Sequence, residues 1–378
     1  MKRVRYVFPT SHHYRLPFHE RLRDLLVADG VDYKVVYSAP SEESVRKRDT
    51  VEVDWGVKVP KVVLPRTGLI WQMGLTEVAR SDLTIVQQEN SLLLNYVCNM
   101  ASVIGAKRVA YFGHGRNFQA RDCNSAAERW KRFWALRCDW WFGYTEETRQ
   151  HLLALGFPAE RITVFNNSVD TGAVRRLVEA VTPARLAEHR TVLDIASENV
   201  AVFVGGIYPD KRMKFMVEAA ELVRASVPDF TLLVVGGGSD LPLVHELVAD
   251  KPWIKVLGPR FGAEKVELMR LGKLFLMPGL LGLAILDAAA AGLPTITTAY
   301  PWHSPEIAYL DDGVSGLMVR DWQDPRSYAD AVTALLLDRP RLSAMAAAAR
   351  AMVDYYSVEA MAERFAKGVL AALAAPSR

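Results

Sequence analysis

The stretch PGLLGLAILDAAAAGLP, residues 278–294, decides the fold more than any other part of the chain. The apolar run Leu274–Met277 comes directly before it and predicts a buried strand. The glycines that follow predict a loop, and the alanine-rich run from Leu283 predicts a helix that can pack closely on a sheet. Strand, glycine loop and helix in this order are the repeating element of parallel α/β sheets.

This order of elements recurs in both halves of the chain, which indicates two doubly wound domains. The predicted strands are Arg5–Phe8, Tyr33–Tyr37, Thr84–Gln87, Arg108–Phe112, Trp140–Tyr144, Val200–Val204, Thr231–Val235, Ile254–Leu257, Leu274–Met277 and Thr295–Thr298. Residues 167–198 contain no convincing strand, and we predict the hinge there. Ligands of such sheets bind beyond the carboxyl ends of the strands, so the segments that follow each strand are the candidate sites.

Composition excludes several classes of protein. The chain has 378 residues, of which 50% are hydrophobic and 24% charged, as in a folded enzyme and unlike a disordered chain. Its net charge of +3 does not indicate a nucleic-acid-binding protein. The three cysteines, Cys98, Cys123 and Cys138, form no zinc-binding spacing and suit a reducing cytoplasm. No apolar stretch is long enough to predict a membrane-spanning helix, and the basic start of the chain fits a first strand better than a signal peptide.

The segment Gly205–Arg212 follows a predicted strand and begins a helix. Its two glycines permit a tight turn, and Lys211 and Arg212 then lie near the positive end of the helix dipole. Cations are unfavourable at that end unless an anion lies between them, so a diphosphate site is one interpretation. A solvated pair of cations at a surface turn is the other.

A second candidate segment is the loop after Met277 together with the helix that it begins. Backbone N–H groups at the start of a helix can bind phosphate or sugar oxygens. Asp287 lies about one turn into this helix, where its carboxylate could accept two ribose hydroxyls. An acid that only stabilises the helix dipole is the alternative.

From about Ala201 to Val319 the chain resembles family 4 of the retaining GT-B glycosyltransferases, also called glycosyl transferases group 1. The matching residues are Gly205, Gly206, Lys211, Val235–Gly238, Asp287, Ala290–Pro294, Pro305–Ile307 and Gly313–Val319. The first half resembles the family more loosely, in Tyr14–Phe18 and in Phe112–Gly115. The resemblance implies an α/β fold of the GT-B type, with two doubly wound Rossmann-like parallel-sheet domains facing across a cleft. We expect an acceptor-side domain at 1–185, a nucleotide-sugar domain at 186–356 and a C-terminal helix, 357–378, that packs back on the first domain.

The resemblance also implies a function. The expected enzyme is a metal-independent retaining glycosyltransferase that moves a sugar from a UDP- or GDP-sugar to a glycan, glycolipid or other glycoconjugate. Its expected role is cell-surface polysaccharide or lipopolysaccharide biosynthesis in the cytoplasm or at the inner face of the membrane. The expected catalytic residues are His114, Lys211 and Arg212, of which the two cations would neutralise the donor diphosphate. The expected donor-binding residues are Gly205, Gly206, Arg260, Gly279, Leu281, Gly282, Leu283 and Asp287. The expected acceptor-binding residues are His13, Tyr14, Arg15, Arg116 and Asn117. No metal or other cofactor is expected.

Three positions depart from the family pattern. Gly206 stands where the family has arginine, and Arg212 could supply that charge instead. Gly279 stands where the family has the first of two glutamates, which contacts the donor sugar, and Asp287 replaces the second. The loss at Gly279 puts the donor sugar, or activity itself, in question. A non-catalytic protein of the same fold that binds nucleotide-sugar or a partner enzyme is therefore the alternative function.

Two other hypotheses have less support. A nucleotide-sugar epimerase of this fold would need acid and base residues that the sequence does not supply. A dinucleotide-dependent dehydrogenase would need a third glycine at Leu241. Separately, the stretch ERWKRFWALR, residues 128–137, predicts a helix with interleaved aromatic and basic residues. Such a helix could lie on an anionic membrane, whereas packing of its aromatic face in the core is the alternative.

Overall fold

A computed structural model of the chain describes residues 1–40, 50–116, 122 and 125–376. The chain divides into two compact units: Met1–Asp170 with the segment from Val358 onward, and Thr171–Ser357. Each unit is built on a parallel sheet with helices, and the prediction of two Rossmann-like α/β domains is confirmed.

The first unit has a seven-stranded parallel sheet in the order β3-β2-β1-β6-β7-β8-β9. Its strands are β1 Lys2–Thr10, β2 Val31–Ser38, β3 Val57–Lys58, β6 Leu83–Gln87, β7 Val109–Gly113, β8 Trp140–Gly143 and β9 Ile162–Val164, and a separate antiparallel pair is β4 Lys61–Val63 with β5 Ile70–Gln72. Its helices before the second unit are α1 Leu16–Ala28, α2 Leu75–Arg80, α3 Leu93–Val103, α4 Ala126–Ala135 and α5 Glu146–Ala154. The sequence predicted five of these strands and missed the short ones.

The second unit has a six-stranded parallel sheet in the order β12-β11-β10-β13-β14-β15. Its strands are β10 Val200–Val204, β11 Thr231–Val235, β12 Ile254–Gly258, β13 Leu274–Met277, β14 Thr295–Thr298 and β15 Gly316–Val319. Its helices are α6 Thr171–Ala180, α7 Pro183–Val192, α8 Met213–Ser226, α9 Leu241–Leu247, α10 Gly262–Leu271, α11 Ala284–Ala290, α12 Pro325–Leu337 and α13 Arg339–Tyr355. The strands that the sequence predicted here all form.

The boundary between the units lies at Asp170–Thr171, earlier than the predicted boundary at 185–186. The reason is the packing of α6. Its apolar residues Val174, Leu177 and Val178 pack in a cluster with Val266 of α10 and Ala289 of α11. Burial of these side chains places α6, and α7 after it, in the second unit.

The chain returns to the first unit through the helix α14, Val358–Ala374, which packs beside α1. Phe365 of α14 is fully buried, and its ring stacks on Phe142 with centroids 4.0 Å apart. The rings of Phe18 and Phe165 contact Phe365 edge-on at 5.3 and 5.2 Å. The core on this face of the sheet therefore needs side chains from both ends of the sequence.

Replacing Phe365→Ala should destabilise the first unit by about 3–5 kcal/mol, because it leaves a large cavity in this aromatic cluster. Hydrogen exchange followed by mass spectrometry should show faster exchange in strands β1 and β8 and unchanged protection in the second unit. Lys367→Ala, on the exposed face of the same helix, is the matched control and should change stability by less than about 0.5 kcal/mol. Equal effects of the two substitutions would contradict the placement of α14.

Candidate functional site

Three loops meet at the carboxyl edge of the second sheet. They follow β10, β11 and β13, and backbone hydrogen bonds join them. The N–H of Ile207 donates to the carbonyl of Gly237 at 2.9 Å, and the N–H of Leu280 donates to the carbonyl of Asp210 at 2.8 Å. The glycine segments that the sequence predicted as a site therefore form one surface.

Glycine is required where these loops approach each other. A Cβ atom on Gly236 would lie 1.9 Å from the carbonyl oxygen of Gly205, and one on Gly238 would lie 2.2 Å from that of Ile207. Both glycines also have φ values, 152° and 158°, that other residues rarely adopt. The glycine cluster after β11 thus permits close packing of backbone on backbone.

Gly279 has no room for a side chain. A Cβ atom there would lie 2.1 Å from the carbonyl oxygen of Asp210 and 2.7 Å from the carbonyl carbon of Lys211. The carboxylate that the family pattern has at this position could not be restored without moving the Asp210–Lys211 turn. Gly206 is less constrained, since a Cβ atom there would meet only the ring of Tyr208, at 2.9 Å.

Lys211 is a buried cation, with 6% of its surface exposed. It ends the short 3-10 helix Pro209–Lys211, and its Nζ donates to the carbonyl of Leu280. The ring of Tyr208 lies 5.2 Å from Nζ. Burial lowers the pKa of Lys211 to about 8, although the neighbouring Asp210 opposes the shift. A lysine that has lost most of its water in this way can gain much from an anion beside it.

Arg212 adopts a left-handed conformation, with φ 56°, between the 3-10 helix and α8. Its guanidinium donates to the carbonyl of Pro278 at 3.2 Å. Aromatic rings surround it, with centroids at 4.0 Å for Phe215, 5.0 Å for Trp322 and 5.6 Å for Tyr300. Burial lowers the pKa of Arg212. Its contacts hold the loop after β13 against α8, and its predicted role on the diphosphate stays a prediction.

His303, which the sequence did not indicate, fixes the loop after β13. Its Nδ1 accepts from the N–H of Leu281 at 3.0 Å, so its Nε2 carries the proton and donates to the carbonyl of Thr298 at 2.8 Å. Burial, with smaller contributions from the charges of Lys211 and Arg212, lowers the pKa of His303 to about 4. The neutral imidazole is therefore part of the folded loop at neutral pH.

Asp287 lies on α11 and forms an ion pair with Lys265 of α10, with 2.8 Å between Oδ2 and Nζ. Both side chains are partly exposed. The pair holds one carboxylate oxygen in place, while the second oxygen, Oδ1, can accept a further hydroxyl. The sequence predicted Asp287 as a ribose ligand but gave no indication of Lys265, because the two helices meet only in the fold.

The remaining donor-side candidates lie on neighbouring loops of the same unit. Arg260 follows β12, and its Nε forms an ion pair with Glu264 at 2.7 Å. Phe261, beside it, is 79% exposed and was not predicted as a site residue. Leu281 is fully buried, and Leu283 precedes the first turn of α11. Gly282 lies near Ser304: a Cβ atom on Gly282 would be 3.3 Å from the Oγ of Ser304.

The acceptor-side candidates belong to the first unit. Tyr14 and Arg15 line a cavity of about 100 Å³ after β1, with Tyr6, Phe8, Thr10, His12, His19, Gln87, Phe112 and Tyr144. Arg15 donates to the Oδ1 of Asn167 at 2.5 Å and to the Tyr144 hydroxyl at 3.4 Å. His13 is exposed on the short helix His13–Arg15 and is not among the lining residues.

His114 lies in a turn between Gly113 and Gly115, whose φ values are 152° and 77°. Its ring meets that of Tyr144 edge-on, with centroids 4.1 Å apart. Burial lowers the pKa of His114 to about 3, so its imidazole is neutral at physiological pH. Arg116 forms an ion pair with Glu147 at 3.0 Å. Asn117 lies outside the described residues.

The geometry of the second unit agrees with comparison to known proteins. Residues 198–338 match the family model of glycosyl transferases group 1. The match lies within the second unit, which is thus similar to the domain that group 1 glycosyl transferases share. The resemblance proposed for about residues 201–319 is thereby confirmed.

Curated relatives and solved structures extend the comparison. A D-inositol 3-phosphate glycosyltransferase from Thermobispora bispora is 29% identical over 236 residues, which cover 58% of this chain and 53% of the relative. A GDP-mannose-dependent alpha-(1-6)-phosphatidylinositol monomannoside mannosyltransferase from Mycobacterium tuberculosis is 30% identical over 219 residues, covering 54% of each protein. The chain thus spans about half the length of the curated relatives it matches.

A solved structure, Anabaena HepE in complex with UDP, matches the whole fold. The TM-score is 0.70 at 16% identity, and the match covers 98% of this chain and 100% of HepE. At this identity the likeness concerns the fold alone, and it agrees with the two Rossmann-like units of the GT-B fold.

The buried neutral state of His303 predicts a pH-dependent stability. Unfolded His303 binds a proton at its ordinary pKa near 6.5, whereas the folded residue binds one only near 4, so stability is full above about pH 6.5 and is lost as pH falls towards 4. His303→Gln should remove roughly 2–3 kcal/mol of this pH dependence in denaturant unfolding of the second unit, because the amide of glutamine does not titrate. The fold should be kept, since the amide can form both hydrogen bonds. His245→Gln, at an exposed position on α9, should leave the dependence unchanged. An identical pH profile for wild type and His303→Gln would refute the assignment.

Proposed function

We propose that this protein is a retaining glycosyltransferase that moves a sugar from a nucleotide-sugar donor to a glycan, glycolipid or other glycoconjugate acceptor. The observation that carries the proposal is Lys211. It is a buried cation where three glycine loops meet, in the domain that matches group 1 glycosyl transferases.

The donor diphosphate would bind beside Lys211. The lowered pKa of Lys211 reflects lost hydration, which a bound phosphate would replace, and the pKa of the lysine would then rise back towards its ordinary value. As the bond between sugar and diphosphate breaks, negative charge grows on the diphosphate, and a fixed cation stabilises it. Arg212 would add to the positive potential while its main contacts hold the loop. Backbone groups of Gly205, Gly206 and residues 279–283 would approach the donor.

The nucleoside would bind between α10 and α11. Oδ1 of Asp287 would accept a ribose hydroxyl while Lys265 fixes the orientation of the carboxylate. Arg260 and the exposed ring of Phe261 could cover a face of the base. The base is guanine or uracil in this proposal, since one similar protein is a GDP-mannose-dependent mannosyltransferase and the HepE structure is a complex with UDP.

The acceptor would bind in the first unit, on residues after β1 and β7. His13, Tyr14, Arg15, Arg116 and Asn117 are the proposed contacts, and the neutral His114 would contact the donor sugar. The proposed acceptor is a lipid-linked or polysaccharide glycan at the inner face of the membrane, in cell-surface polysaccharide or lipopolysaccharide synthesis. We propose a reaction that needs no metal or other cofactor, in which the leaving phosphate takes the acceptor proton.

A second candidate function is binding of nucleotide-sugar without transfer. The blocked position of Gly279 favours it, because the donor sugar loses a carboxylate that the family pattern supplies there. The two functions share the nucleotide site and differ in turnover.

A panel of UDP, GDP, ADP, dTDP and their sugars tests the proposal by thermal unfolding. One nucleotide at about a hundred times its Kd should add roughly 2.7 kcal/mol of stability. Asp287→Ala should weaken its binding roughly tenfold to a hundredfold, because a hydrogen bond to a charged group is lost. Lys265→Met is the matched control: it breaks the ion pair but keeps the carboxylate, so its loss should be smaller. A folded protein that no nucleotide stabilises would contradict both candidate functions.

Lys211→Ala should reduce transfer by about 10²–10³ in kcat, measured as nucleotide release from the donor in the presence of EDTA. Because Lys211 is charged only below its pKa of about 8, nucleoside diphosphate affinity should also fall as pH rises above 8. Lys214→Ala, at an exposed position on α8, should change neither property. Undiminished turnover in Lys211→Ala would overturn the diphosphate assignment, and nucleotide binding without turnover in wild type would favour the non-catalytic function.

A further inference from the structure

The helix α3 buries polar side chains together with Leu94 and Cys98, and it exposes a second set of apolar side chains. Asn95 donates to the carbonyl of Gln87, Asn99 donates to the Tyr111 hydroxyl, and Ser102 donates to Asp139, so each of these buried polar side chains has a hydrogen-bond partner for its donor group. The outward face carries Val97, Met100, Val103 and Ile104, which are 42%, 54%, 57% and 73% exposed. A helix at a water-facing surface normally carries polar side chains on its outward face.

The helix α4 also exposes large apolar side chains. Its acid, Glu128, is buried, whereas Trp130 and Phe133 are 48% and 46% exposed. Their rings stack with centroids 6.0 Å apart and an interplanar angle of 14°. The sequence alternative, in which this aromatic face packs in the core, is therefore wrong for these two residues.

Tyr96 joins the two helices. Its hydroxyl accepts from the indole N–H of Trp130 at 2.9 Å, and its ring contacts that of Trp134 with centroids 5.2 Å apart. Met100 and Ile104 follow Tyr96 along α3 at helical spacing. The outward residues of both helices thus belong to one surface, which we call the α3–α4 face and which comprises Val97, Met100, Val103, Ile104, Trp130 and Phe133.

The charges that α4 itself carries at its surface are positive, and one exposed acid, Glu89 after β6, interacts electrostatically with Lys131. Arg129, Lys131 and Arg132 alternate with the aromatic residues along α4, and Glu128 does not offset them at the surface because it is buried. Arg137 lies over the ring of Phe133, 3.3 Å from its centroid. Exposed aromatic and aliphatic side chains rimmed by basic ones match the boundary of an anionic lipid bilayer, where rings lie among headgroups and cations contact phosphates.

We propose that the α3–α4 face docks the first unit on an anionic membrane surface. Trp130 and Phe133 would enter the headgroup layer together with the outward side chains of α3, while Arg129, Lys131 and Arg132 contact lipid phosphates. No described helix is long and apolar enough to cross a membrane. The inference concerns a surface other than the nucleotide site and holds for either candidate function.

A second copy of the chain is a poorer occupant. A symmetric dimer through this face would bring the same basic residues of α4 from two chains together. Like charges at a shared interface oppose association, whereas an anionic bilayer supplies the opposite charge over an area larger than the face.

Flotation of the full chain with vesicles tests the proposal. The vesicles are phosphatidylcholine alone, or phosphatidylcholine with about one third phosphatidylglycerol. Wild type should bind the anionic vesicles at least about tenfold more tightly than the neutral ones, and less tightly as salt rises. The double variant Trp130→Ser with Phe133→Ser, and separately Met100→Ser with Ile104→Ser, should each lose about tenfold or more of this binding. Lys131→Glu with Arg132→Glu should remove the preference for anionic vesicles.

Matched controls separate docking from folding and from donor binding. Val192→Ser with Leu337→Ser removes two apolar side chains that are 74% and 65% exposed in the second unit, and Lys214→Glu reverses a charge there. Both should bind vesicles as wild type does. Stabilisation by nucleotide should be the same in every one of these variants, so failure of docking is distinguishable from failure of the donor site. Equal binding of neutral and anionic vesicles, unchanged binding in the α4 or the α3 variant, or a wild-type dimer that the α4 variant converts to monomer would each overturn the proposal.

Discussion

The close approach of the Asp210–Lys211 turn to the loop after β13 is the constraint on which the candidate site depends. The carbonyl of Asp210 accepts from Leu280 while the side chain of Lys211 reaches the carbonyl of the same residue. Gly279 must lack a side chain for this to happen. The same contact buries Lys211 and leaves no room for a side chain at position 279. The burial of Lys211 and the loss of the family's first carboxylate therefore have one structural cause.

Other residues around this contact act as supports. His303 fixes the loop after β13 by accepting a hydrogen bond from the N–H of Leu281, and Arg212 fixes it by donating one to the carbonyl of Pro278. Lys211 and Arg212 both donate to backbone carbonyls, those of Leu280 and Pro278. An anionic ligand would compete with these carbonyls, and the loop after β13 is consequently the part of the second unit whose hydrogen bonds a donor would rearrange most directly.

The sequence predicted features that local order determines. The succession of strands and glycine loops in the sequence predicted both sheets. It also predicted that Gly205, Lys211 and Gly279 lie at one edge of the second sheet, because parallel strands end on the same side. Lys265 and His303 could not be predicted, since each acts through a partner that only tertiary packing supplies. The predicted domain boundary, at 185–186, lies after the observed one at Asp170–Thr171. The pattern of an amphipathic helix such as α6 shows that one face is buried but does not show which of two cores it packs on. The burial of the polar side chains of α3 could not be predicted either, since polar residues are expected at the surface until their buried partners, Gln87, Tyr111 and Asp139, are known.

The path of the chain has a consequence for how the protein matures. The second unit is continuous in sequence, from Thr171 to Ser357, and is inserted between the two sequence segments of the first unit. The core of the first unit includes Phe365 of α14. During synthesis the ribosome therefore releases every residue of the second unit before the first unit has its last helix. Although it begins first in the sequence, the first unit completes its folding last, and until then the aromatic side chains that pack on Phe365 are exposed hydrophobic surface of the kind that favours aggregation.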